Sequence, residues 1–160
     1  MKADILDLRE LPTRLKPRQR VLGLDLGEKT IGLAISDSGL SLASPLETIR
    51  RSKFTKDAAA LAAIIEDRNV GALVIGLPVN MDGSEGPRCQ SVRTFAENLA
   101  SIANVMLPAA FWDERLSTSA VQRFLVDEAD MTRQRRGEVV DKMAAAYILQ
   151  GALDRLSNPV

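Results

Sequence analysis

Three carboxylates stand where the surrounding sequence is apolar. Asp25 interrupts the run Val21-Leu22-Gly23-Leu24-Asp25-Leu26-Gly27. A carboxylate among such neighbours is costly to desolvate unless a cation, hydrogen-bond donors or water meet it. The competing reading is a turn aspartate bonded to nearby backbone amides. Glu114 repeats the situation after the apolar stretch 105–112. A parallel strand there would deliver side chains to the carboxyl edge of a sheet, where ligand sites gather. Asp113 should point to the opposite face, and an acidic turn salt-bridged to Arg115 is the alternative. Asp141 shares a helix face with Ala145, Ile148 and Ala152, at spacings of four, three and four. It could equally be a helix-start aspartate favoured by the dipole. Glu138, one turn earlier, is either a fourth member or a solvated residue. Together, two strand ends and one helix end can converge on a cation. Carboxylate oxygens select hard ions, so the expected metal is Mg²⁺ or Mn²⁺.

What the chain lacks narrows the chemistry further. It has no histidine, which removes a Ser-His-Asp triad, a histidine base and any histidine-ligated metal. Cys89 is the only cysteine, so no disulfide within the chain and no cysteine-rich zinc site can form. Cys89 reads as a small buried residue, and Trp112, Phe54, Phe95 and Phe124 as core. With so few aromatics, a single-strand binder built on base stacking is disfavoured.

The elements that must carry the carboxylates follow from periodicity. Residues 21–27 and 31–37 form two apolar strands joined by Glu-Lys-Thr, as in an antiparallel hairpin. Residues 42–50 supply a third strand that contains Pro45. Residues 55–68 have helical composition, with Thr55 as a possible cap. Residues 71–77 are continuously apolar, as in a strand covered on both faces. Residues 87–103 form a helix with proline in its first turn, and 105–112 a further strand. Ser117 caps a helix reaching about Asp127, and a last helix runs from about Glu138 to Leu156. The expected architecture is α/β: a mixed five-stranded sheet, antiparallel meander plus parallel strands, with helices on both faces. Residues 1–18 read as a flexible basic arm, and 19–157 as the single domain that 160 residues allow.

Charge is balanced overall, with a formal net charge of zero and 46% hydrophobic residues. Basic residues nevertheless cluster at Arg14, Lys16, Arg18 and Arg20, at Arg50, Arg51, Lys53 and Lys56, and at Arg133, Arg135 and Arg136. Each cluster is either solvated surface or part of a phosphate-binding surface. In the loop 80–88, Gly83, Ser84 and Gly86 permit close backbone approach and Arg88 stands in the first helical turn. This is a phosphate-binding loop or a plain connection. Arg115 is a further candidate phosphate contact. No apolar run is long enough for a membrane span, and the N-terminus lacks the apolar centre of a signal peptide, so a cytoplasmic location without membrane contact is expected.

Four ordered motifs carry a resemblance. DLGEKTIGLAISD at 25–37, GLPVNMDGSEGPR at 76–88, DERLST at 113–118 and DKMAAAYILQ at 141–150 are similar to those of the YqgF-type family. That family is known as Holliday-junction-resolvase-like and as nucleases processing pre-16S rRNA. The resemblance covers about residues 20–156. It implies an RNase H-like fold, catalytic and metal-ligating carboxylates at Asp25, Glu114 and Asp141, and phosphodiester hydrolysis assisted by Mg²⁺ or Mn²⁺. Many members carry arginine where Thr30 stands, which leaves one substrate contact missing or supplied elsewhere. The expected substrate is RNA, precursor rRNA trimmed at its 5′ end in ribosome biogenesis, handled by a monomer. Symmetric junction cutting calls for a stable dimer, and no heptad seam is visible. The alternatives are a junction-type DNA resolvase or a non-catalytic nucleic-acid or ribosome-assembly module. An actin-like ATPase would need a second related domain, for which the chain has no room.

Overall fold

The computed structural model describes residues 2–116 and 133–158, without the side chains of 116 and 133–138. The helix expected from Ser117 lies outside the described residues, as do the side chains of Arg133, Arg135, Arg136 and Glu138. Five strands form one sheet: β1 (Arg20–Leu26), β2 (Thr30–Ser36), β3 (Ala43–Arg50), β4 (Val70–Leu77) and β5 (Ala109–Asp113). Their spatial order is β3-β2-β1-β4-β5. The first three strands are antiparallel neighbours, whereas β4 and β5 run parallel to β1. This is the expected mixed sheet, with α1 (Phe54–Asp67), α2 (Pro87–Ser101) and α3 (Arg133–Ser157) packed on it.

The two sheet faces differ in side-chain size. On one face Leu22, Leu24, Leu26, Ile31, Leu33, Leu73 and Ile75 pack against α1 and α2 through Leu61, Val92, Phe95 and Leu99. Each fully buried leucine or isoleucine there contributes about 1.5–3 kcal/mol. The other face is built from Val21, Ala34, Ala72, Val74 and Ala110. There α3 settles through Ala145, Ile148, Leu149, Ala152 and Leu153. Strand alternation puts Gly23 and Asp25 on this same small-residue face with Val21. A Cβ at Gly23 would lie 2.9 Å from Leu149 Cβ.

Several boundaries differ from the expectation. β5 begins at Ala109, because 104–108 form the approach to it: Asn104 has φ of 56° and Val105 bonds back to Leu99. Pro108 offers only its carbonyl, which accepts from Leu73 N–H. α1 starts at Phe54, so Thr55 lies inside it. Nearby, the buried Asp57 accepts from the Ser52 amide at 3.1 Å. α3 starts at Arg133, which puts Asp141 about two turns inside and removes the helix-start reading of that residue. Pro45 is accommodated at a register shift, opposite Ala34 on an outer strand of the sheet.

The segment expected as a flexible basic arm makes defined contacts with the sheet. Ile5 forms a parallel bridge to Ala109, with Leu6 N–H donating to Ala109 O and Ala109 N–H to Asp4 O. A 3₁₀ helix, Leu8–Arg14, follows, capped by Asp7, and its Leu11 is fully buried with the α3-side core. The segment covers part of the outer edge of β5, a position that would otherwise invite pairing with another chain. Its charges concealed this, because alternate apolar residues carry the docking. Leu11→Ala should lower unfolding stability by about 2–5 kcal/mol, read by denaturant titration. An unchanged midpoint would mean that the segment is not held.

Candidate metal centre and active site

Asp25 is the next-to-last residue of β1 and lies opposite Gly32 of β2. Glu114 opens a 3₁₀ turn, Glu114–Leu116, immediately after β5. The strand between them is β4, and its residue there is Gly76. A Cβ at position 76 would collide with Glu114 Oε1. The glycine therefore leaves the space through which Glu114 reaches Asp25, to which it is hydrogen-bonded.

Burial and proximity set the protonation of this pair. Burial pushes Glu114 up to about 8, with the Asp25 charge and the bond to Asp25 acting in the same direction. Burial also raises Asp25, and the charge of Asp141 adds to it, while the hydrogen bond from Glu114 and the Arg88 guanidinium oppose the rise. Near neutral pH, Glu114 holds the shared proton and donates it to the Asp25 carboxylate. Two like charges this close do not both ionise without a cation to compensate.

Asp141 comes from the opposite layer. The α3 backbone passes so near β2 that a Cβ at Gly32 would collide with the Asp141 carbonyl oxygen. Thr30 Oγ1 donates to Asp141 Oδ2 at 2.5 Å. Thr30 was read in the sequence as a position lacking an arginine, and its role in orienting Asp141 was missed. Nothing local in the sequence reports a contact across 111 positions. Asp25 and Glu114 are thus in contact, with Asp141 close enough for its charge to be felt by Asp25.

The candidate substrate contacts divide into two groups. Arg88, in the first turn of α2, is the cation that acts on both Asp25 and Glu114. Gly83, Ser84 and Arg115 belong to a braced loop. Gly83 has φ of 89° and its N–H donates to Asn80 O. Ser84 gives both its amide and its hydroxyl to Asp82 Oδ1. Arg115 is committed to Asp113, with Nη2 to Oδ2 at 2.6 Å, and its Nη1 reaches Met81 O at 3.3 Å. The local ion pair weighed in the sequence is therefore formed. Of the basic clusters, Arg14 to Arg20 sit at the other end of β1 from Asp25, roughly five residues or about 17 Å away. They do not flank the carboxylates. The second cluster lies at the near end, since Arg50 pairs with Thr30 across β3 and β2.

The donor set suits a hard cation. It is all oxygen, it is desolvated, and its proton occupies the place a cation's charge would take. As the side chains stand, no three His, Cys, Asp or Glu among the described residues are gathered tightly enough to chelate an ion. Closing the set would require Asp141 to turn from Thr30 toward the pair.

Comparison with known proteins shows the family. The sequence model of the RuvX family, described as Holliday junction resolvase, matches residues 19–155. A protein of Phenylobacterium zucineum named "Putative pre-16S rRNA nuclease" is 62% identical over 154 residues, 96% of this chain and 98% of its own. One of the same name from Rhodospirillum centenum is 64% identical over 155 residues, 95% of this chain and 82% of its own. Among solved structures, T. thermophilus RuvC in complex with a Holliday junction substrate superposes with a TM-score of 0.52 at 14% identity. The match covers 86% of this chain and 96% of that one, a likeness of fold.

The carboxylate pair makes stability depend on pH. Glu114 is raised from 4.5 to about 8 in the folded chain, so between those values the folded state binds more proton than the unfolded one. Stability without metal should therefore fall as pH rises through that window. In EDTA, the melting temperature of the wild type should drop more steeply between about pH 5 and pH 8 than that of Glu114→Gln, which has no proton to lose there. Parallel curves would show that the pair is not coupled to folding.

Proposed function

This chain belongs to the RuvX family, and from that premise we propose that it is a metal-dependent nuclease that hydrolyses phosphodiester bonds in the 5′ region of pre-16S rRNA. The observation that carries the reading is the desolvated Asp25–Glu114 pair facing Arg88 at the carboxyl edge of β1, β4 and β5. Near-full-length relatives of this protein, 62% and 64% identical, bear the pre-16S rRNA nuclease name, which favours RNA.

Asp25, Glu114 and Asp141 would hold Mg²⁺ or Mn²⁺. Bound there, the ion would activate water and stabilise the leaving oxygen. The residues themselves prepare the site. Glu114 and Asp25 share a proton that a bound cation would displace, so ion affinity should rise with pH until the pair is ionised. Thr30 holds Asp141 in reserve on the α3 side. Arg88 brings positive charge to the edge where a phosphate must approach two carboxylates. Arg115 and Asp113 hold the 80–86 loop beside them through Met81 O. The protein acts as a cytoplasmic monomer in this reading. Among the described residues no helix is long and apolar enough to cross a membrane.

A second reading is favoured by the family's description as Holliday junction resolvase. Symmetric junction cutting would need two copies in register. The test incubates the purified protein with a precursor rRNA fragment and with a four-way DNA junction, with Mn²⁺ or EDTA, alongside its mass in solution. Cleavage of the RNA by a monomer, only with Mn²⁺, is expected. Asp25→Asn and Asp141→Asn should each reduce it by about 100-fold or more with the melting temperature little changed, because each removes a ligand charge while nearly keeping shape. A dimer that nicks junctions in pairs and spares the RNA would install the second reading. Wild-type rates in either variant would refute the site.

A further inference from the structure

Beside the carboxylates, the sheet edge opens into a cavity of about 220 Å³ between the β1–β2 turn and α2. Gly27 and Glu28 line it from the turn, Arg88, Ser91 and Phe95 from α2, and Arg51 from the segment after β3. A second recess of about 340 Å³ shares Arg51, Ser91 and Phe95 and continues along α2 to Gln90, Thr94 and Asn98. The two recesses make a continuous track that starts at Arg88, the guanidinium acting on Asp25 and Glu114, and leads away from them.

Arg51 stands at the junction of the two recesses and is held in place from two directions. Its Nη1 donates to Gly27 O at 2.6 Å, and its guanidinium carbon lies 5.6 Å from the centre of the Phe95 ring. Its own backbone N–H donates to Lys29 O. No carboxylate among the described residues pairs with it; Glu28, which lines the same cavity, forms no bond to it. A planar fork with donors to spare, fixed before any ligand arrives, fits a phosphate better than a mobile lysine would. It is half-buried where the two recesses share their lining, a place a single strand can reach. A paired strand would have to bring its complement against α2.

We propose that this track binds the single-stranded RNA segment flanking the cut bond. Arg51 binds the neighbouring phosphodiester, and Gln90, Thr94 and Asn98 hydrogen-bond the nucleotide beyond it. The proposal rests on the nuclease reading but is tested by binding, so the two can fail separately. In the Asp25→Asn background, a labelled single-stranded RNA of about 12 nucleotides is titrated by fluorescence anisotropy at several salt concentrations, in EDTA. Arg51→Met should weaken binding about tenfold and reduce the slope of log K against log salt by about 0.7. Ser91→Glu sets a negative charge in the same cavity from an exposed helix position and leaves Arg51 untouched. It should weaken binding at least as much, with an unchanged melting temperature. A blunt RNA duplex should show little difference between the variants, and single-stranded DNA should bind more weakly than RNA. Wild-type affinity and slope in a folded Ser91→Glu protein would overturn the track. An equal loss on the duplex would overturn the single-strand assignment, and equal binding of DNA would overturn the choice of RNA. Tight, Arg51-dependent RNA binding by a protein that never cuts would support the track and refute the nuclease.

Discussion

The contact between Asp25 and Glu114 is the constraint around which the rest of the site is arranged. Two carboxyl groups taken out of water and set against each other are unfavourable unless a proton, a cation or donors intervene. In this chain a proton on Glu114 does so near neutral pH, while the nearby Arg88 charge favours the ionised forms. The arrangement makes a proton and a metal ion competitors for the same position. Whatever stabilises the pair must come from outside it, because the carboxylates contribute no packing of their own. The leucine-rich layer between the sheet, α1 and α2 supplies that stability on the opposite face.

The small-residue face is what lets the site form. Gly76 leaves the gap crossed by Glu114, and Gly32 admits the α3 backbone at Asp141. Farther along α3, a Cβ at Gly151 would lie 3.0 Å from the Trp112 ring. Trp112 is two residues before Glu114 and so shares its side of β5 while the strand lasts. Its indole nitrogen is buried with no hydrogen-bond partner among the described residues. An unsatisfied buried donor costs about 1–3 kcal/mol, and close packing of α3 on the sheet prevails over it. Helix and sheet are thus drawn together along one line of contacts that ends at the carboxylates. Adding a methyl group on that line would disturb chemistry as well as packing.

Much of this was legible from residue type and period. The apolar runs around Asp25 and from Val70 to Leu77 announced buried strands, and Pro87 marked the start of α2. The four-three-four spacing put Asp141 on the face of α3 that meets the sheet, where Ala145, Ile148 and Ala152 are buried. Boundaries were less legible wherever local pattern and tertiary pairing disagree. The apolar residues at 105–108 look like strand but serve as a lead-in. The polar residues before Glu138 look like loop yet continue the helix. The Thr30–Asp141 bond, the gap at Gly76 and the commitment of Arg115 to Asp113 depend on how far side chains reach once strands are in register. A linear pattern holds no record of that.

Electrostatics at the site also explains how a chain with zero net charge can handle a polyanion. Long-range attraction from a neutral protein is weak, and exposed charges are screened within about 8–10 Å at physiological salt. The carboxylates themselves repel a phosphate until a cation covers them. Productive binding must therefore depend on guanidinium groups placed within a few ångströms of the path the strand takes. In the proposed reading Arg88 would meet that requirement at the pair and Arg51 at the adjoining cavity. Arg93 does not: it is spent on Glu85 and on the Phe111 ring. Arg115 is likewise spent on Asp113. In the sequence Arg88 and Arg115 stood alike as candidate phosphate contacts and Arg51 was one of a basic cluster. Their partners in the folded chain show that Arg93 and Arg115 brace the scaffold.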